Sequence, residues 1–222
     1  MNANRKAVVT DSGNGLGRTF ANILLKNNYD VILAASQDSF NALAVETDDL
    51  HQYKLVKTDF TSNDSVSELR DTIISTFGHL DLLINNAEIA NGFGQKIEQI
   101  NIEDVKAVYD INVFAVMRVV KTLKPLLEKS NDARIINVTS ALGDLTKMKD
   151  DSFCYSNYCM TAYASSKAAL NMYTHLQCKE FSPSKISIKT FDPVALKNCT
   201  HNSVKICNDV KDEFIALIKH KA

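Results

Sequence analysis

Six short apolar runs, at 7–10, 31–35, 53–57, 82–85, 134–139 and 186–191, alternate with longer stretches whose apolar residues recur at helical spacing. No other feature constrains the fold as strongly. A strand followed by a helix that returns to a parallel neighbour builds a sheet covered on both faces, and strands buried on both faces read as near-continuous apolar runs. The helical stretches fall at about 16–27, 38–46, 63–77, 102–129, 160–181 and 208–220. Asn101 is the expected N-cap of the fourth, with Glu103 and Asp104 in its first turn, where carboxylates meet the positive end of the helix dipole. The predicted architecture is a doubly wound, Rossmann-like α/β fold with a parallel sheet of six strands. No linker rich in Pro, Gly or Ser and no internal repeat divides the chain, so 1–222 reads as a single domain. Irregular structure is expected at 88–100, 144–159 and 193–206, each after the carboxyl end of a strand, where open α/β sheets bind ligands.

Charge narrows the partners. With 25 Lys plus Arg against 26 Asp plus Glu, the net charge is −1 and no dense basic run occurs, so neither nucleic acid nor an anionic membrane has an electrostatic footprint. A small molecule is the expected partner. No apolar run approaches the roughly 18 residues of a membrane span, and Met1 to Lys6 is polar, so a cytoplasmic protein is expected. The cysteines Cys154, Cys159, Cys178, Cys199 and Cys207 are dispersed without a CxxC or Cys/His pattern, which predicts reduced thiols and no metal site.

Of only 7 glycines, three stand at Gly13, Gly15 and Gly17, where Thr10-Asp11-Ser12-Gly13-Asn14-Gly15-Leu16-Gly17 joins the first strand to a helix. Glycines permit a tight bend and let backbone N–H groups approach a pyrophosphate at the positive helix end. The spacing is not G-x-G-x-x-G, because Arg18 stands three positions after Gly15, so a plain structural turn remains an open reading.

A second constellation lies in Tyr163-Ala-Ser-Ser-Lys167, which on a helix puts Tyr163 and Lys167 one turn apart on the same face. An ammonium beside a phenol favours the phenolate, so the tyrosine can act as general acid or base near neutral pH. A surface pair on an amphipathic helix would have the same spacing. Ser140 closes the buried run 135–139 and offers a hydroxyl to a substrate oxygen.

The order of the glycine-rich turn, Asp59, Asn85-Asn86-Ala87, Asn112, Ser140, Tyr163 and Lys167 resembles the short-chain dehydrogenase/reductase family, from Lys6 to Asn198. The resemblance implies hydride transfer between a nicotinamide cofactor and a small carbonyl or alcohol substrate, with reduction as the cellular direction. It makes Tyr163 the proton donor or acceptor and Ser140 the group that positions the substrate oxygen. Lys167 would lower the Tyr163 pKa and hold the nicotinamide ribose, and Asn112 would support a water relay. It also places Thr10, Ser12, Gly13, Asn14, Gly15, Leu16, Ser36, Asp59, Phe60, Asn86, Ala87, Pro193 and Val194, with Tyr163 and Lys167, along the cofactor.

Four departures surround that cofactor path. The family's Thr-Gly reads Thr10-Asp11, its Asn-Asn-Ala-Gly reads Asn85-Asn86-Ala87-Glu88, its Pro-Gly reads Pro193-Val194, and Asn198 stands where threonine is expected. Asp11 and Glu88 are expected to repel phosphate or crowd a backbone contact, and Val194 to add bulk at the carboxamide. They motivate an alternative, a non-catalytic binding or regulatory protein on the same fold. The Ser140-to-Tyr163 segment is longer than in most of the family, similar to carbonyl reductases and bacterial C-factor proteins. Its aromatics Phe153, Tyr155 and Tyr158 either wall a substrate pocket or pack beneath a surface loop. Neither a carboxylate at Ala35 nor an Arg at Ser36 marks the cofactor, and the expectation leans to NADP(H) over NAD(H). With no seventh strand in view, a monomer, or a homodimer through the helices at 102–129 and 160–181, is expected.

Overall fold

The computed structural model describes residues 4–11, 15–45, 53–92, 94–158, 160–193 and 208–219. The six strands are β1 (Arg5–Asp11), β2 (Tyr29–Ala35), β3 (Tyr53–Lys57), β4 (Leu82–Asn85), β5 (Ala133–Val138) and β6 (Ile186–Phe191). They form one sheet in the order β3-β2-β1-β4-β5-β6, every neighbouring pair parallel. The doubly wound fold is therefore as expected. The chain order reverses between β1 and β4, which opens a crevice at their carboxyl ends.

The helices are α1 (Leu16–Leu25), α2 (Gln37–Val45), α3 (Asn63–Phe77), α4 (Ile102–Tyr109), α5 (Val116–Leu127), α6 (Leu145–Met148), α7 (Thr161–Glu180) and α8 (Asn208–Lys219). Strand alternation divides the core between two faces. Val8, Ile32, Leu83 and Ile135 pack with Val66, Leu69, Val119 and Leu123 of α3 and α5. Ala7, Val9, Leu33 and Ile84 pack with Phe20 of α1 and Phe214 of α8, whose rings stack with centroids 4.6 Å apart.

Polar strand ends moved two boundaries. β1 starts at Arg5 and β2 at Tyr29 because Arg5 pairs with Tyr29 and Lys6 with Asp30, and the Lys6 amide donates to Asp81 Oδ2 at 2.7 Å. β1 also continues through Asp11, which pairs with Ala35, so Asp11 belongs to the strand and not to the turn. The predicted helix at 102–129 is interrupted. Asn101 caps α4 by accepting from the Glu103 amide at 3.0 Å, but residues Asp110–Ala115 form a π-helical turn before α5 resumes. Such a bulge breaks the 3.6-residue period that the sequence shows, and π-bulges often sit at functional positions.

The cysteine expectation also needs correction. Cys178 is free, but Cys154 is disulfide-bonded, since dispersion along a chain does not keep thiols apart in space. Among the described residues, no helix is long and apolar enough to cross a membrane.

Candidate active site

α7 presents Tyr163 and Lys167 toward the carboxyl end of the sheet, and both side chains are buried. Lys167 Nζ donates to the Val138 carbonyl at 3.0 Å and lies 5.4 Å from the centroid of the Tyr163 ring. Ser140 follows β5 and begins the short turn Ala141–Gly143, accepting from the Leu142 amide at 3.3 Å. That turn rests directly on α7. A Cβ at Gly143 would stand 2.6 Å from the Lys167 carbonyl carbon, so the glycine lets the turn that Ser140 begins seat on α7, where Ser140 acts to lower the Tyr163 pKa. Ser140, Tyr163 and Lys167 are thus brought together as the sequence predicts.

The fourth member of the cluster is Glu88. Its carboxylate forms an ion pair with Lys167 and accepts a hydrogen bond from the Tyr163 hydroxyl at 3.1 Å. Glu88 is expected from the sequence to face phosphate or crowd a backbone contact, and the structure corrects this: its charge reaches Tyr163 and Lys167. The expectation for Tyr163 changes with it. Burial, the Glu88 charge and the hydrogen bond to Glu88 push the Tyr163 pKa far above its ordinary value, Asp192 adds to the rise, and only the hydrogen bond with Ser140 opposes it. Lys167 is not among the groups that lower it, and its ammonium pairs with Glu88. Asp192, at the end of β6, was missed in the sequence. Only its place beside the carboxyl edge of the sheet could have flagged it.

Asn112 lies in the π-turn, 1% exposed. Its Oδ1 accepts from the Ile89 amide at 2.9 Å, while its Nδ2 donates to the Ile89 carbonyl and to Ser166 Oγ, both at 3.0 Å. The side chain therefore ties the segment after β4 to α7 and fixes the residue next to Glu88.

Around the switch point, Thr10 Oγ1 accepts from the Asn86 and Ala87 amides, each at 3.0 Å, which welds the end of β1 to the segment after β4. Thr10 is thereby a buried brace. Asp11 is 2% exposed, and its Oδ1 accepts from Asn86 Nδ2 at 3.3 Å. A Cβ on Gly17 would meet Asp11 Cγ at 2.6 Å, so the carboxylate lies against the first turn of α1, at the positive helix end. Gly15 precedes that turn with φ 77°, and no side chain caps it. Leu16 is buried beneath it.

The residues expected toward the adenine end are occupied locally. Ser36 Oγ bonds Ser39 Oγ at 3.1 Å. Asp59 Oδ1 accepts from the Thr61 amide at 2.9 Å and the Thr61 hydroxyl at 2.7 Å, which holds its carboxyl below the ordinary range. Phe60 is a core residue, 3% exposed. Pro193 is half-buried after β6. Ser12, Gly13, Asn14, Val194 and Asn198 lie outside the described residues. Phe153, Tyr155 and Tyr158 stack edge-to-face on one another, with centroids 5.6 Å and 5.0 Å apart.

Comparison with known proteins identifies the family. The chain is 32% identical over 163 residues to an NADPH-dependent pterin aldehyde reductase of Arabidopsis thaliana, covering 73% of this chain and 65% of that protein. It is 28% identical over 195 residues to an uncharacterized oxidoreductase of Saccharomyces cerevisiae, covering 86% of this chain and 58% of that one. The chain thus spans under two thirds of the length of both relatives. Among solved structures it is similar to NADPH-bound carbonyl reductase from chicken fatty liver, with TM-score 0.74, 25% identity and coverage of 86% and 80% of the two chains. It is also similar to the Pseudomonas aeruginosa RhlG/NADP complex, with TM-score 0.70, 26% identity and coverage of 88% and 74%. The short chain dehydrogenase family matches residues 5–207, nearly the whole sheet and every member of the Ser140–Tyr163–Lys167 cluster, and the chain belongs to that family.

Proposed function

We propose that the chain, acting as a single domain, is an oxidoreductase that moves a hydride between a nicotinamide cofactor and a small aldehyde, ketone or alcohol. The observation that carries this reading is the buried approach of Ser140, Tyr163 and Lys167 at the carboxyl edge of a parallel sheet, beside its switch point. The residues fit a dinucleotide. The N-terminus of α1 has Gly15 in the left-handed region and no side-chain cap, which suits a phosphate, although the Asp11 carboxylate lies beside its first turn and opposes one. Lys167 supplies a buried cation at the other end of the crevice. When bound, the nicotinamide supplies or accepts the hydride. Ser140 then fixes the substrate oxygen, and Tyr163 gives its hydroxyl proton to that oxygen in reduction or takes it back in oxidation.

Preference for NADP(H) belongs to this proposal, supported by the absence of a carboxylate at Ala35 and by the NADPH-dependent relative. So does a monomer, or a homodimer through the helices at 102–129 and 160–181, where Ile102 of α4, Phe114 of the π-turn, and Met172 and Leu176 of α7 are exposed apolar side chains. A cytoplasmic setting is part of the same proposal. A second reading, a non-catalytic binding or regulatory protein, draws on the Glu88–Lys167 pair. Loss of nicotinamide absorbance against a panel of aldehydes and ketones separates the two. Turnover that disappears in Tyr163→Phe supports the enzyme, and NADPH binding without turnover of any carbonyl supports the alternative.

A further inference from the structure

The Glu88 carboxylate follows Ala87 at the carboxyl end of β4, and three contacts fix where it points. Asn112 holds both the amide and the carbonyl of Ile89, which sets the backbone next to it. Tyr163 donates to Oε2, and Lys167 pairs with the same oxygen. The Lys167 ammonium has three N–H donors, of which one goes to Val138 and one to Glu88. Lys167 is 2% exposed whereas the Glu88 side chain is 20% exposed, so the carboxylate has the route to solvent and the ammonium does not.

We infer that Glu88 is a positioning residue that competes with the nicotinamide cofactor for Lys167 and Tyr163, so that the cofactor engages the catalytic pair only after displacing the carboxylate. This rests on the oxidoreductase reading. Removing a carboxylate from a buried ammonium is costly unless another polar group takes its place, because the uncompensated cation would stay desolvated. A cofactor's ribose hydroxyls are such a group. With Glu88 in place Tyr163 stays a phenol, since burial and a neighbouring carboxylate that accepts its hydrogen bond both disfavour the phenolate. Glu88 thus acts on the reaction through two other residues, holding one cation and one proton.

The test is a calorimetric titration of the full chain with NADPH and with NADH, comparing the parent with Glu88→Gly and Glu88→Gln. Glutamine keeps the size and can still accept from Lys167, so it guards against a variant that fails because a buried ammonium is left alone. The expected result is a dissociation constant lowered about tenfold or more in Glu88→Gly and by a smaller factor in Glu88→Gln, the scale of one lost charge-assisted contact. In parallel, ultraviolet titration of tyrosine in the nucleotide-free proteins should show Tyr163, identified by difference from Tyr163→Phe, ionising at lower pH in Glu88→Gln than in the parent. A purely structural Glu88 would not shift that titration. Equal nucleotide affinity in the parent and both variants overturns the competition and leaves the oxidoreductase reading standing. Failure of parent and variants alike to bind either nucleotide overturns both.

Discussion

Gly143→Ala isolates the contact that brings Ser140 to Tyr163. Gly143 is not among the glycines with positive φ, so alanine meets no backbone penalty there. On conformational entropy alone the change should stabilise, by about 0.4–1 kcal/mol. The structure predicts the opposite sign. The added methyl would stand 2.6 Å from the Lys167 carbonyl carbon and 2.7 Å from the Ala168 nitrogen, backbone atoms of α7 that cannot rotate away. Overpacking against an unyielding wall costs roughly 1–3 kcal/mol, which leaves a net loss of about 1–2 kcal/mol after the entropic gain. For a chain of this size that lowers Tm by about 2–8 °C. Relief by moving the turn away from α7 would also stretch the Ser140–Tyr163 hydrogen bond and weaken the Asn171 bond to the Gly143 carbonyl, now 3.2 Å. Thermal unfolding followed by circular dichroism, with kcat measured on the best substrate found, reads both effects. An unchanged or raised Tm with unchanged kcat would refute the close seating of this turn on α7.

Tyr163→Phe should lower kcat by about a hundredfold or more with little change in Tm or nucleotide affinity, since it deletes one hydroxyl from the proton-transfer position; steady-state kinetics and titration together check it. Gly17→Ala places a methyl 2.6 Å from Asp11 Cγ and should cost about 1–3 kcal/mol, a loss that largely disappears in the Asp11→Gly background. Asp11→Gly alone should cost about 1 kcal/mol, from the bond to Asn86 and the carboxylate at the positive end of α1, while tightening NADPH binding by removing a negative charge from the helix end proposed to meet its phosphate. Denaturant unfolding and a binding isotherm on one sample read the two opposite effects. Phe214→Ala should cost about 3–5 kcal/mol, because the ring is 1% exposed and packs on Phe20 and Phe191; an unfolding midpoint within error of the parent would contradict its place in the core.

What could be read before folding, and what could not, follows from the range of the interactions involved. Helix caps and apolar strands are local, so α3 begins and ends where Ser62 and Gly78 place it, and β3, β4 and β6 fall on their apolar runs. The ends of β1 and β2 are polar. Their pairing depends on Lys6 meeting Asp30 and Asp81 across the sheet, which hydrophobic pattern does not encode. The π-turn escapes for a related reason. The apolar stripe from Val105 to Val120 runs through it, and what marks the bulge is Asn112 reaching Ile89 and Ser166 on two other elements. Tyr163 and Lys167 were legible as a pair because one helical turn joins them. The state of that pair was not, because it is set by Glu88, 79 residues upstream of Lys167 (167 − 88 = 79), delivered by the β4 terminus and held there through the same asparagine. The two surprises are therefore one structure. The π-turn turns Asn112 toward Ile89, Asn112 fixes the residue after Glu88, and Glu88 pairs with Lys167 and accepts from the Tyr163 hydroxyl. Glu88, where the family has glycine, thus meets Tyr163 and Lys167 from a backbone whose next residue is held by the bulged helix.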